Sequence, residues 1–135
     1  MTSPVISVIV ASYNQERYIS RCLRSLISQT IARDKFEIVV INDGSTDRSA
    51  SVLSEFADET VLINNEKNIG LPASLNKAIR RARAPFVVRV DADDYVNAEF
   101  LHLLHDFLRE NKYMDAIACD YLLVDEQEEV LGRKK

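Results

Sequence analysis

The run Val5-Ile6-Ser7-Val8-Ile9-Val10-Ala11 constrains the fold of this chain more than any other segment. It is rich in β-branched residues and shows no polar face, as expected of a strand buried on both sides in a parallel sheet. Behind it, Tyr18, Ile19, Cys22, Leu23, Leu26 and Ile27 recur at helical spacing and predict a helix over 15–29. The same alternation runs on to the far end of the sequence. Strands are predicted over 36–41, 60–63, 86–90 and 116–124. A short helix over 47–57 carries Ser45 or Thr46 as its natural N-cap. Two further helices follow the stripes Leu71, Leu75, Ala78, Ile79, Ala82 and Phe100, Leu101, Leu104, Phe107, Leu108, the second beginning near Asn97. After the last strand, Asp125-Glu126-Gln127 reads as a turn, with 128–131 returning as a hairpin partner. The pattern defines an α/β, Rossmann-like architecture: a mostly parallel sheet with helices on both faces, in a single domain spanning 1–135.

Composition narrows the partners. A length of 135 residues can bury a real core, and the formal charge of −4 gives no basic footprint for nucleic acid. No apolar run approaches the ~20 residues that cross a bilayer. The opening Met1-Thr2-Ser3-Pro4 lacks the charged and apolar regions of a signal peptide. Cys22 and Cys119 both fall at apolar-periodic positions and are expected as buried thiols. The cytosol is therefore the expected compartment, with peripheral membrane placement open for a longer protein. His102 and His105 lie off the apolar stripe of their helix and are expected at the solvated surface. Arg80, Arg81 and Arg83 close a helix, where cations complement the negative end of its dipole.

In an open parallel sheet, ligands bind beyond the carboxyl ends of the strands. The segment after each strand is therefore a reading of the site. Strand one leads into Ser12-Tyr13-Asn14, strand two into Asn42-Asp43-Gly44-Ser45, and strand four into Asp91-Ala92-Asp93-Asp94. Turn chemistry accounts for Ser45, Thr46 and Asn97. It accounts poorly for four carboxylates on one rim, which repel one another unless a cation is present. The only glycines are Gly44, Gly70 and Gly132, so neither a dinucleotide fingerprint nor a P-loop exists here. A bound diphosphate would need a divalent ion held by carboxylates, and Mg²⁺ or Mn²⁺ suits oxygen ligands. Asp91 and Asp93, two apart in an extended stretch, would project to one side. Arg89 interrupts an apolar strand on the same face as Asp91, and a buried arginine there would pair with a site carboxylate.

Three blocks, VISVIVASYNQERY (5–18), IVVINDGSTDRS (38–49) and NIGLPASLNKAIRRARAPFVVRVDADD (68–94), resemble the inverting family 2 glycosyltransferases of the GT-A fold. The resemblance covers nearly the whole chain in the correct order. It implies transfer of a sugar from a nucleoside diphosphate donor, UDP-sugar being the first expectation, to a saccharide or lipid-linked acceptor. It places Ala11 and Tyr13 at the nucleobase, Asp43 at the base or ribose, and Asp91 and Asp93 on the metal and diphosphate. Asp94 falls to the ribose or to loop organisation, and Glu16 to an acidic position near the first loop. Similar enzymes carry their general base well beyond the D-x-D strand. The downstream carboxylates here are Asp120, Asp125 and Glu126, none assigned that role, so the catalytic base is unknown. The resemblance thus implies the N-terminal, donor-binding portion of such an enzyme, ending after the D-x-D strand and the following helix and strand, with the acceptor-binding part absent. Two other readings stand beside it: a nucleotide-sugar-binding fragment without turnover, and a receiver-like phosphotransfer domain. The second is disfavoured because strand one ends in Ala11-Ser12-Tyr13 and strand three in Asn64-Asn65, without acids.

Overall fold

The computed structural model describes residues 3–135; Met1 and Thr2, half of the tetrapeptide inspected for a leader, lie outside the described residues. The chain divides into two compact units at residues 105 and 106.

The first unit holds a four-stranded, all-parallel sheet in the order β3-β2-β1-β4, formed by β1 (Ile6–Ser12), β2 (Phe36–Asn42), β3 (Val61–Asn64) and β4 (Phe86–Arg89). β1 pairs with β2 from Ile6↔Phe36 to Ser12↔Asn42, and with β4 from Ile6↔Phe86 to Ile9↔Arg89. The period-2 geometry of β1 divides its side chains between two cores. Ile6, Val8 and Val10 pack with Cys22, Leu23 and Leu26 of α1 (Ile19–Ile27), Leu53 of α2 (Ser49–Ser54) and Leu101 of α4 (Phe100–Glu110). Ile9 and Ala11 pack on the opposite face with Leu75 and Ala78 of α3 (Leu71–Arg81). Helices thus cover both faces of β1 and β2, which is why those strands need no polar side.

The base of the sheet is closed by a polar network. Ser7 donates to Glu37 Oε1 at 2.6 Å, and the Arg83 backbone N–H and side-chain Nε donate to Glu37 at 2.7 and 2.9 Å. Burial alone would raise the Glu37 carboxyl, but the Ser7 and Arg83 bonds outweigh it and hold it below the ordinary range. Arg83 therefore leaves the set of helix-closing cations: α3 ends at Arg81, and Arg80 and Arg81 alone occupy its last turn.

The second unit contains an antiparallel hairpin of β5 (Tyr121–Val124) and β6 (Val130–Lys134). Its turn is organised by Asp125 Oδ1, which accepts from the backbone N–H groups of Gln127 and Glu129, both at 2.9 Å. The expected hairpin partner is present. Among the described residues the expected fifth parallel strand is not: β5 pairs with β6 in a separate two-stranded sheet, and ladder pairing begins at Tyr121 rather than 116.

Three smaller expectations are also corrected. Cys119 is exposed, while Cys22 is fully buried. His105 is half-buried and sets its ring edge-on to Phe86 at 5.6 Å between centroids. The N-cap of α2 is Arg48 rather than Ser45 or Thr46; the preceding Asp47 Oδ1 accepts from the Ser49 N–H at 2.8 Å, and Ser45 and Thr46 are drawn into contacts with Asn14. Among the described residues, no helix is long and apolar enough to cross a membrane.

Candidate donor and cation site

Because β1, β2 and β4 are parallel neighbours, the segments following them emerge on one edge of the sheet. The first two are joined residue by residue. Asn14, at φ 52°, accepts on Oδ1 from the Thr46 N–H at 2.8 Å, and its own N–H donates to Ser45 Oγ at 3.0 Å. The Gln15 N–H donates to Ser49 Oγ. Glu16 is held reciprocally: its N–H donates to Asp47 Oδ2, and its Oε2 accepts from the Arg48 N–H, each at 3.2 Å. Ala11 is half-buried on the α3 side, whereas Tyr13 is 45% exposed. The linking roles of Asn14, Asp47 and Ser49 escaped the sequence reading; asparagine's tolerance of the left-handed region was the available signal.

Asp43 is buried at 4% exposure, directly after β2. Its Oδ1 accepts from the Ile69 N–H at 2.8 Å and from Asn65 Nδ2 at 3.0 Å, and its Oδ2 accepts from the Gly70 N–H at 3.0 Å. Burial alone would raise this carboxyl, but the bonds from Ile69, Asn65, Ser74 and Gly70 outweigh it and hold it below the usual Asp range. Gly70 caps α3, which has no side-chain N-cap, so the Asp43 carboxylate supplies the negative charge that a helix N-terminus favours. Gly44 follows at φ +69°. A Cβ built there would lie 2.4 Å from Asn68 N and from Lys67 C, so only glycine lets the 65–70 loop close over this turn.

Asp91, Asp93 and Asp94 form the second half of the site, and their geometry differs from an extended D-x-D. β4 ends at Arg89, and the Asp94 N–H donates to Asp91 O at 3.0 Å, closing a turn. Ala92 is buried at 3% exposure in the core while the three aspartates point outward. Helix α1 is the bed of this turn. Cys22 Sγ donates to Asp91 O at 3.5 Å, Arg21 to Asp93 O at 3.2 Å, and Ser25 Oγ accepts from the Val96 N–H. Gln29 donates to Asn97 O at 2.7 Å and accepts from the Leu101 N–H. The Arg21 guanidinium also lies over the Tyr95 ring at 4.5 Å.

The turn gathers one ligand atom from each aspartate within 4.8 Å of the others. Partial burial and the charges of Asp93 and Asp91 raise the Asp94 carboxyl, opposed by Arg21. Burial and the same three carboxylates push the Cys22 thiol up to about 12. An all-oxygen set of three clustered carboxylates suits a hard divalent cation, so the residues fit Mg²⁺ or Mn²⁺. Arg89 pairs with Asp91 as expected, but at the sheet edge it is half-exposed rather than buried. The downstream carboxylates are engaged elsewhere: Asp120 pairs with Arg133, and Asp125 holds the hairpin turn.

Fold and site together define an α/β protein that presents an acidic turn and a buried-aspartate loop on one sheet edge. Residues 7–129 match the model of glycosyl transferase family 2, and the chain belongs to that family. It is 36% identical over 123 residues to the EpsH protein of Bacillus subtilis, covering 90% of this chain and 35% of EpsH. A crystal structure of Staphylococcus aureus TarS in complex with UDP-GlcNAc superposes with TM-score 0.74 at 36% identity, over 83% of this chain and 32% of that one. The mannosyltransferase PcManGT from Pyrobaculum calidifontis, in complex with GDP-Man and Mn²⁺, gives TM-score 0.74 at 26% identity, over 95% and 38%. The fold is accordingly that of the GT-A glycosyltransferases. The chain spans about a third of the length of these relatives.

Proposed function

We propose that this chain is the donor-binding domain, 1–135, of an inverting glycosyltransferase, taking a nucleoside diphosphate sugar through a divalent cation. The observation that carries the reading is the exposed triplet Asp91, Asp93 and Asp94 on the carboxyl edge of a parallel sheet. Asp91 and Asp93 would hold the cation and through it the diphosphate, with Asp94 beside the ribose. The nucleoside would lie against Ala11 and Tyr13, near Glu16, with Asp43 at its base or ribose, held there by the loop it fixes. A cation there neutralises the charge that develops on the departing nucleoside diphosphate. The solved relatives with UDP-GlcNAc, or with GDP-Man and Mn²⁺, support both the donor class and the metal. UDP-sugar as donor, a saccharide or lipid-linked acceptor, and a cytoplasmic or membrane-peripheral setting complete the proposal.

A second reading, donor binding without turnover by this span, draws on one observation: Asp120 and Asp125 are tied into the hairpin by Arg133 and by backbone N–H groups, so neither is a free general base. Calorimetric titration with UDP-, GDP- and dTDP-sugars, with and without Mn²⁺, tests the proposal. The expected result is metal-dependent binding of one donor, weakened at least about ten-fold in Asp93→Asn, the scale of one lost charge-assisted contact. A folded chain that binds none of them contradicts both readings. Nucleoside diphosphate released in the same samples separates transfer from binding.

A further inference from the structure

Arg89 is the last residue of β4, at the open edge of the four-stranded sheet, and it leads into the acidic turn. Its Nε donates to Asp91 Oδ1 at 2.9 Å, and a terminal nitrogen lies 2.8 Å from the same oxygen. Both side chains are 49% exposed. Two contacts to one oxygen fix the rotation of the Asp91 carboxylate and leave its other oxygen outside the pair. An ion pair this exposed contributes only ~0–1 kcal/mol to folding. Its bearing on a bound cation is more direct, because the carboxylate it contacts belongs to the cluster of Asp91, Asp93 and Asp94. Arg21, a second cation at the turn, donates to the Asp93 backbone carbonyl and favours the charged form of Asp94, so Arg89 supplies part of the countercharge, at Asp91. Arg89 therefore already occupies a carboxylate oxygen of the very group that would take a cation.

We propose that Arg89 is a positioning residue that acts as resident countercharge to the triplet, weakening its hold on a divalent cation until a diphosphate arrives with compensating negative charge. The inference rests on the proposed donor site and adds a specific consequence: cation and nucleotide bind with positive coupling, and Arg89 sets part of that coupling. By linkage, each ligand strengthens the other by the same factor. Removing a unit charge in direct contact with Asp91 at a half-exposed site should alter cation affinity roughly three- to ten-fold.

Titrations of Mn²⁺ alone, and of Mn²⁺ in saturating UDP, test this on the 135-residue chain, Arg89→Gln, Arg89→Lys and Asp91→Asn. Arg89→Gln is expected to bind Mn²⁺ alone roughly three- to ten-fold more tightly, with the strengthening by UDP reduced by a similar factor. Arg89→Lys keeps the charge and should stay near wild type. Unchanged or weaker Mn²⁺ binding in Arg89→Gln, in an assay where Asp91→Asn loses it, overturns the role of Arg89 and leaves the donor-site reading standing. Mn²⁺ binding by Arg89→Gln but not by wild type supports the countercharge role in its strongest form. Failure of wild type and Arg89→Gln alike to bind Mn²⁺, with or without UDP, overturns both.

Discussion

Asp43→Ala should lower the stability of this chain by about 3–4 kcal/mol at neutral pH, a fall of roughly 10 °C in Tm, before any effect on a ligand is considered. The carboxylate is buried and accepts from two backbone N–H groups, Ile69 and Gly70, and from the Asn65 amide. Truncation strands these donors and removes the negative charge at the start of α3, and each orphaned buried donor costs ~1–3 kcal/mol unless water reaches it. Asp43→Asn retains one acceptor but turns an amide NH₂ toward a donor, so it should fall between the two. The pH dependence has a definite sign. The folded carboxyl sits below its ordinary value. Its contribution is therefore complete above the unfolded pKa, about 3.9, and is lost as pH falls through the depressed folded one. The stability gap between wild type and Asp43→Ala should be flat around neutrality and narrow on acidification below about pH 4. Chemical denaturation at a series of pH values reads both. A gap under about 1 kcal/mol at pH 7 would mean that the carboxylate does not clamp the 65–70 loop.

Gly44→Ala is expected to be nearly as damaging, by about 3 kcal/mol, for an independent reason. A positive φ costs an alanine ~1 kcal/mol. The larger share is steric, since the new methyl would meet backbone atoms of Lys67 and Asn68 at 2.4 Å, and backbone cannot rotate aside as a flexible side chain could. The loop must lift, and lifting it draws Ile69 and Gly70 away from Asp43. The two substitutions share that loop, so their effects should combine to less than their sum. Denaturation of the two single variants and the double variant measures it. Full additivity would show that Gly44 and Asp43 act on separate structures.

Both expectations bear on how much the sequence disclosed. The parallel sheet was legible because β1 and β2 are buried on both faces, and a run without a polar face has few other uses. Its opposite edge was less so. β4 has one alternately exposed side, with Val87 and Arg89 outward, and 116–120 reads as strand without finding a ladder. Strand preference measures the fit of side chains to a neighbouring surface, and no local pattern reveals which neighbour is there. The acidic turn was visible as a concentration of repelling charge, although its geometry is a turn seated on α1 rather than an extended pair. The partners of Asp43 could not be read at all. They are backbone N–H groups and an amide more than twenty residues downstream, and backbone donors leave no mark on sequence. By residue type alone Asp43 stood with Asp91, Asp93 and Asp94 as one of four carboxylates on a rim, whereas in the structure it is buried and bonded to the 65–70 loop while the other three are exposed.

On the proposed reading the outward Asp91 and Asp93 take the cation, with Asp94 beside them, and Asp43 holds the neighbouring loop. Paramagnetic broadening by Mn²⁺ in an amide ¹H–¹⁵N spectrum tests it most directly. Substoichiometric Mn²⁺ is expected first to remove the resonances of Asp91, Ala92, Asp93 and Asp94, with the amides that Asp43 accepts from, Ile69 and Gly70, less affected, and Asp93→Asn to abolish the pattern. Broadening centred on Asp43 and the 65–70 loop, or spread over the surface without regard to the triplet, would contradict it.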